Sequence, residues 1–176
     1  MNIYIIIIII IAVIAIFSLV YFSGYVKLKE YKEKMEKAEN IIDENLNKKL
    51  ELIVNINTEV KKVTGKKDYL KEYTSLKDLI ITNIEKDLKL HEAEKLINDL
   101  VNDFNELRSD NNFNKQIIAL REIQEVLTAA KNMFNHNALL SNQFIKTFPN
   151  NFIAKIGNFK IKSFYTNNKT DGEEAF

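Results

Sequence analysis

Apolar and polar residues are distributed along this chain in two contrasting ways. From Ile3 to Phe22 there is almost no alternation: seven consecutive Ile residues lead into Ala, Val, Ile, Phe and Leu, and no charged side chain precedes Lys27. About 20 helical residues cover the roughly 30 Å of a bilayer core. In lipid such a helix satisfies its own backbone, so the run predicts a transmembrane anchor over residues 1–26. Tyr4 near one end, and Tyr21 and Tyr25 near the other, fall where amphipathic rings favour the interface. A cleaved signal would need a basic start, a shorter apolar core and small residues at the cleavage point, all missing here. A buried core helix would need a larger body to wrap a stretch that is apolar all round.

Beyond Lys27 the pattern becomes periodic. Met35, Ala38, Ile42, Leu46, Ile53, Ile56, Val60 and Val63 recur at intervals built from three and four, with Ile41 and Leu50 beside them. They predict one helix over about 28–63, able to continue straight out of the anchor because no Pro intervenes. Gly65 marks a turn. A second stripe runs from Tyr73 through Leu76, Ile80, Ile84, Leu88, Ala93, Ile97, Leu100 and Phe104 to Leu107, with a capping-box-like Thr74-Ser75-Leu76-Lys77-Asp78 where the helix is expected to start or be interrupted. Ser109-Asp110-Asn111-Asn112 makes a second turn. A third stripe, from Phe113 to Ile145, stops at Phe148-Pro149. Residues 150–156 predict a short helix ended by Gly157. Phe159, Ile161 and Phe164 then lack helical spacing and read as a strap whose aromatics lie in a groove.

The expectation is an all-α protein: an N-terminal transmembrane helix, an elongated antiparallel bundle of long helices over residues 27–165, an extended C-terminal strap, and a disordered tail over 166–176. None of the three helices can bury its stripe alone, so packing together follows. An open coiled-coil dimer is the competing arrangement, disfavoured because the spacing drifts without strict heptads.

Charge adds an orientation. Lys27, Lys29, Lys32 and Lys34 follow the apolar run and none precedes it, so the body is expected in the cytoplasm. The chain has 25 basic and 24 acidic residues, net +1, which argues against nucleic acid as a partner. Cys is absent, excluding disulfides, thiol nucleophiles and thiolate metal sites. The balance is uneven. Residues 75–110 are acid-rich, whereas Lys115, Arg121, Lys131, Lys146, Lys155, Lys160, Lys162 and Lys169 face only Glu122 and Glu125 across residues 111–170. Complementarity between the second and third helices explains part of this. The surplus at Lys146, Lys155, Lys160 and Lys162 is the candidate interaction surface, for an acidic partner or anionic lipid. A simple up-down-up path would place that end about 50 Å from the bilayer and the Ser109–Asn112 turn near it.

Chemistry-bearing patterns are sparse. His91-Glu92-Ala93-Glu94-Lys95 starts like a zinc-protease helix, but position 95 is Lys, so the second imidazole is missing. His136 stands alone, no glycine-rich phosphate loop occurs, and Asp99 and Asp103 read as solubilising charge. No catalytic, metal or cofactor-binding residue is expected, and an enzyme is the least favoured class.

Two stretches carry a resemblance. The first is Ile42-Asp43-Glu44-Asn45-Leu46-Asn47-Lys48-Lys49-Leu50-Glu51-Leu52-Ile53-Val54-Asn55-Ile56, continuing to Val60-Lys61. The second is Ala130-Lys131, Phe134-Asn135, Asn142, Phe148-Pro149, Ala154, Phe159 and Tyr165. In order and spacing these resemble the LemA family of bacterial membrane-anchored proteins, whose patterns run I-D-x-x-L-x-x-[RK]-x-x-L-I-P-N-L, then A-R, Y-N, Y-N and F-P. Val54 replaces the family proline, Ser141 replaces an aromatic, and Gln124 stands where the family favours Glu. Residues 68–112 depart most. The resemblance implies a helical bundle behind one membrane helix, on a bacterial cell membrane, and no defined biochemical role. It marks Asp43, Leu46, Ile53, Asn55, Phe134, Asn135, Asn142, Phe148, Pro149 and Phe159 as structural positions. Asn55, Asn135 and Asn142 lie close to apolar stripes, where a bonded amide can dictate helix register. The expected role is a non-catalytic scaffold or adaptor for as yet unknown protein partners, anchored in the bilayer through residues 3–22 and compatible with homo-oligomers. A sensory accessory relaying a membrane signal is the alternative.

Overall fold

A computed structural model describes residues 3–65 and 67–165; the predicted tail over 166–176 lies outside them. The fold is all-α, with no strand among the described residues. Helix α1 (Ile3–Val63) is a single 61-residue helix carrying the apolar run and the first stripe. Then come α2 (Lys71–Thr74), a 3-10 turn (Ser75–Asp78), α3 (Asn83–Asp103), α4 (Asn105–Ser109), α5 (Asn111–Lys146) and α6 (Asn150–Ile156). The described residues fall into two compact units. One holds residues 3–37 and 133–164; the other holds 38–132 with Tyr165.

In the second unit, Ile42, Leu46, Ile53, Ile56 and Val60 of α1 are buried with Leu90, Ala93, Ile97 and Leu100 of α3 and Phe113, Leu120 and Leu127 of α5. Burying each such side chain stabilises by about 1.5–3 kcal/mol. α1 ends where Gly65 takes φ 71°, a left-handed conformation that costs a glycine nothing. The chain then turns back along the helix it has just left. Asp68 accepts from Asn57 Nδ2 at 2.9 Å and from Lys61 Nζ at 2.6 Å.

The second predicted helix is therefore corrected. It does not begin near Tyr73 and run unbroken to Leu107. Residues 79–82 are non-helical, Leu79 is extended (φ −102°, ψ 137°), and Ile80, assigned to the core stripe, is 105% exposed. The capping box sits at Thr82, not at Thr74. Glu85 N–H donates to Thr82 Oγ1 at 3.2 Å, and Thr82 N–H donates to Glu85 Oε2 at 3.1 Å. The Thr82 N–H, and then the Thr82 hydroxyl donating to the same oxygen at 3.0 Å, hold the Glu85 carboxyl below its ordinary range. Because residues 64–82 make the return, α3 runs in the same direction as this part of α1: Lys86 bonds Asn47 near its start, and Phe104 packs on Tyr69 at its end. The turn predicted over Ser109–Asn112 is reduced to Asp110, because Ser109 ends α4 and Asn111 and Asn112 already open α5; a further break falls at Phe104. Asp110 caps α5 by accepting from Phe113 N–H at 2.7 Å.

In the first unit α5 runs antiparallel to α1. Tyr31 meets Phe144 edge-on (6.3 Å between centroids), and Leu28 is buried with Ile153 and Ala154 of α6. Helix α6 ends in a Schellman motif: Phe159 N–H donates to Ala154 C=O at 2.9 Å and Asn158 N–H to Lys155 C=O at 3.4 Å. The left-handed residue is Asn158 (φ 53°). Gly157 serves space instead, since a Cβ there would lie 2.5 Å from the Phe159 ring. The motif aims that ring at Tyr25, 5.6 Å away edge-on.

Candidate functional site

Two polar constellations stand out, one in each unit. In the second unit Lys49 lies in the middle of the α1 stripe, between Leu46 and Ile53, and is 0% exposed. A buried ammonium requires a charge partner and bonded protons. Its Nζ donates to Glu94 Oε2 at 2.9 Å and to Gln124 Oε1 at 2.8 Å, tying α1 to α3 and α5. His91 Nδ1 lies 3.4 Å from the same Glu94 oxygen. Beside Glu94 and Gln124 opens a groove of ≈ 400 Å³ between α3 and α5, whose walls include Ile97, Leu120 and Arg121. A second buried pair, Asp87 with Lys131 (2.5 Å), again joins α3 to α5. With its charge met and its surface sealed, Lys49 presents no free amine to a substrate. Among the described residues no group of three or more His, Asp or Glu side chains is arranged to hold a metal ion.

The resemblance-derived residues in this unit separate into buried and exposed ones. Leu46 and Ile53 are fully buried. Asp43 is exposed on α1, near the half-buried Tyr165 hydroxyl. Burial pushes that hydroxyl above its ordinary value, and Glu39, Asp87 and Asp43 push the same way while a bond with Asn83 opposes them. Asn55 is corrected: it is exposed, one residue off the stripe that Ile53 and Ile56 define. The buried amide on this stretch is Asn57, held to Asp68.

In the first unit Asn142 is buried and forms a two-bond clamp on the strap. Its Nδ2 donates to Lys162 C=O at 2.8 Å, and Lys162 N–H donates to its Oδ1 at 2.9 Å. The amide thus reads the strap backbone as a neighbouring strand would. Phe134 is buried and Asn135 half-buried on α5. Pro149 precedes α6, its carbonyl accepting from Phe152 N–H. Phe159 is half-buried against the Leu28 cluster. Phe148 is 79% exposed, and Lys146, Lys155, Lys160 and Lys162 are exposed.

The location of that basic end is the largest correction. A Cβ on Gly24 would sit 2.6 Å from Ile153 Cδ1 and 3.1 Å from Asn150 Oδ1, so α6 lies directly on α1 two residues past the apolar run. The basic end is beside the end of the candidate span, not about 50 Å from it. The up-down-up path failed because a loop, and not the second long helix, makes the return.

Lys49 and Lys131 fall on basic positions of the LemA pattern, but their burial was not anticipated, and Asp87 was passed over. The signal was present for Lys49: the stripe jumps seven residues from Leu46 to Ile53, and a lysine fills the missing position.

The apolar run of α1 is exposed along its whole length and is the one candidate membrane span among the described residues, with a mean hydropathy of 3.4 over its best window. Compared with known proteins, residues 38–175 match the family model described as LemA family, which takes in the divergent stretch 68–112. No curated protein matches the chain, and no solved structure does.

Proposed function

Because the chain belongs to the LemA family, we propose that it is a non-catalytic helical scaffold, tethered to a bacterial cell membrane through residues 3–22, which presents an apolar segment to protein partners on the cytoplasmic side. The observation that carries this reading is the stretch from Leu79 to Ile84. Ile80 is fully exposed, with Leu79 53% and Ile84 43% exposed. A 3-10 turn precedes Leu79, and the Thr82–Glu85 capping box fixes the far end where α3 begins at Asn83, so Leu79 and Ile80 are held out between two fixed ends. Extended chain with projecting apolar side chains is what a partner's groove or sheet edge accepts. The cytoplasmic side rests on Lys27, Lys29, Lys32 and Lys34 immediately after the run.

A photo-crosslinking residue at position 80, introduced into the full chain in its native membranes, tests the reading. A discrete adduct of fixed stoichiometry is expected, lost when Leu79→Ser weakens the segment. Absence of any adduct from position 80, or a defined turnover by the purified protein, overturns it. Labelling of single cysteines at Asn2 and Lys67 reads the orientation; modification of position 67 from outside intact cells reverses it.

One observation favours a second reading, the relay of a membrane signal. α1 passes from the apolar run into the body as one unbroken helix, so a rotation or tilt of the run has a stiff path to follow. Crosslinks near Lys27 to Lys34 that change with growth condition support it.

A further inference from the structure

We propose that α6 and the strap form a second, peripheral membrane contact, in which Phe148, Phe152 and Ile156 enter the bilayer interface while Lys155, Lys160 and Lys162 meet anionic lipid headgroups. The inference rests on residues 3–22 being embedded.

Helix α6 is apolar on two sides. Ile153 and Ala154 are 3% and 2% exposed and pack with Leu28. Phe152 and Ile156, four residues apart, share a different face and are 60% and 70% exposed, and Phe148, just before the helix, is 79% exposed. The two rings meet edge-on at 6.1 Å, making one continuous apolar ridge. Three large apolar side chains side by side in water mark a surface that something covers.

Position identifies the occupant. Ile153 lies on Gly24 and Phe159 lies on Tyr25, where the apolar run has just ended and two tyrosines mark the interface. Phe152 adjoins Ile153, so the ridge stands within about one helix diameter of that point. A bilayer holding residues 3–22 therefore reaches the level of α6 without any further partner. Charge agrees: residues 133–164 contain no Asp or Glu, Lys155 is exposed on α6 itself, and Lys160 and Lys162 are exposed on the strap that follows it. Aromatic and aliphatic side chains bordered by lysines are the composition of an interfacial helix, attracted by anionic lipid at about 1 kcal/mol per cation.

The full chain has no Cys, so single nitroxide labels can be placed cleanly. Phe152→Cys, Ile156→Cys, Ile14→Cys and Asn98→Cys proteins are reconstituted in phosphatidylcholine vesicles with and without phosphatidylglycerol, and oxygen accessibility is compared with that of a water-soluble nickel chelate. Positions 152 and 156 are expected to show an oxygen-to-nickel ratio at least ~3-fold above position 98 with the anionic lipid, collapsing to the position-98 value in a K155E/K160E/K162E background. An aqueous signal at 152 and 156 while position 14 is immersed overturns the proposal alone. An aqueous signal at position 14 removes the anchor and the proposal together. Label–label broadening at 152 that grows with protein density means a second copy covers the ridge, which also overturns it.

Discussion

The Lys49 ammonium, sealed from solvent, donates to the Glu94 carboxylate at 2.9 Å, and Glu94 keeps 16% of its side chain exposed beside the α3–α5 groove. The two partners are therefore not equivalent. Removing the carboxylate leaves a buried cation with only Gln124 to meet it, whereas removing the cation leaves an anion that groove water can reach. Glu94→Gln is expected to cost roughly 2–4 kcal/mol and Lys49→Met about 1–2 kcal/mol. Thermal or denaturant unfolding of the detergent-solubilised chain measures both. The reverse order would sink the burial argument.

Acid sensitivity has an identifiable source at Asp68. The Lys61 bond, then the Asn57 bond, hold its carboxyl below the ordinary 3.8. A lowered folded value means that the unfolded chain takes up the proton first. The stabilising contribution is thus complete above the ordinary value and is lost as pH falls through the lowered one. Melting followed from about pH 5 down to about pH 2 should fall more steeply for the native chain than for Asp68→Asn. Parallel curves would show that the contact carries no linkage.

Asn142 holds the strap by two bonds to Lys162. Leu in its place removes both, at about 1–2 kcal/mol, or a factor of about 5–30 in the opening equilibrium. Trypsin cleavage at Lys160 and Lys162 should accelerate by that factor. Asn142→Asp keeps the acceptor but loses the donor, and should fall between the two. Unchanged cleavage in Asn142→Leu would mean that the rings alone hold the strap.

Gly24 admits α6 to the α1 surface. Ala at this position gains about 1 kcal/mol of helix propensity but brings its Cβ to 2.6 Å from Ile153 Cδ1, so the two effects nearly cancel. Leu has no such balance, and overpacking of about 1–3 kcal/mol should loosen α6. Hydrogen exchange of the Ile153–Gly157 amides should be faster in Gly24→Leu and nearly native in Gly24→Ala. Protection of these amides in the Leu variant would remove Gly24 from the account.

Much of the fold was legible because local rules suffice for it. The apolar run, the α1 stripe, the Gly65 turn, the break at Asp110 and the stop at Pro149 each follow from spacing or backbone chemistry within a few residues. The second helix was misread because Ile80 and Ile84 keep helical spacing while Thr82 and Glu85 cap a helix beginning between them; four non-helical residues leave a periodic count almost undisturbed. Asn55 was misplaced by one residue, enough to turn it from the packed face to water. The burial of Lys49, Asp87 and Lys131 was not anticipated because a charge inside a stripe reads as an interruption until its partner, dozens of residues away, is brought beside it.

The amino-acid order alone determined that this chain begins with a helix apolar enough to span a bilayer and continues as helices of the LemA type, since hydrophobic period, turn residues and motif spacing are all local quantities. Only the tertiary structure decided that residues 64–82 make the return, that Lys49 finds Glu94 and Gln124, and that α6 settles on Gly24 beside the end of the apolar run. The direction of a helix after a loop, and the partner of a buried charge, depend on contacts between distant residues, and no window along the chain contains both sides of such a contact.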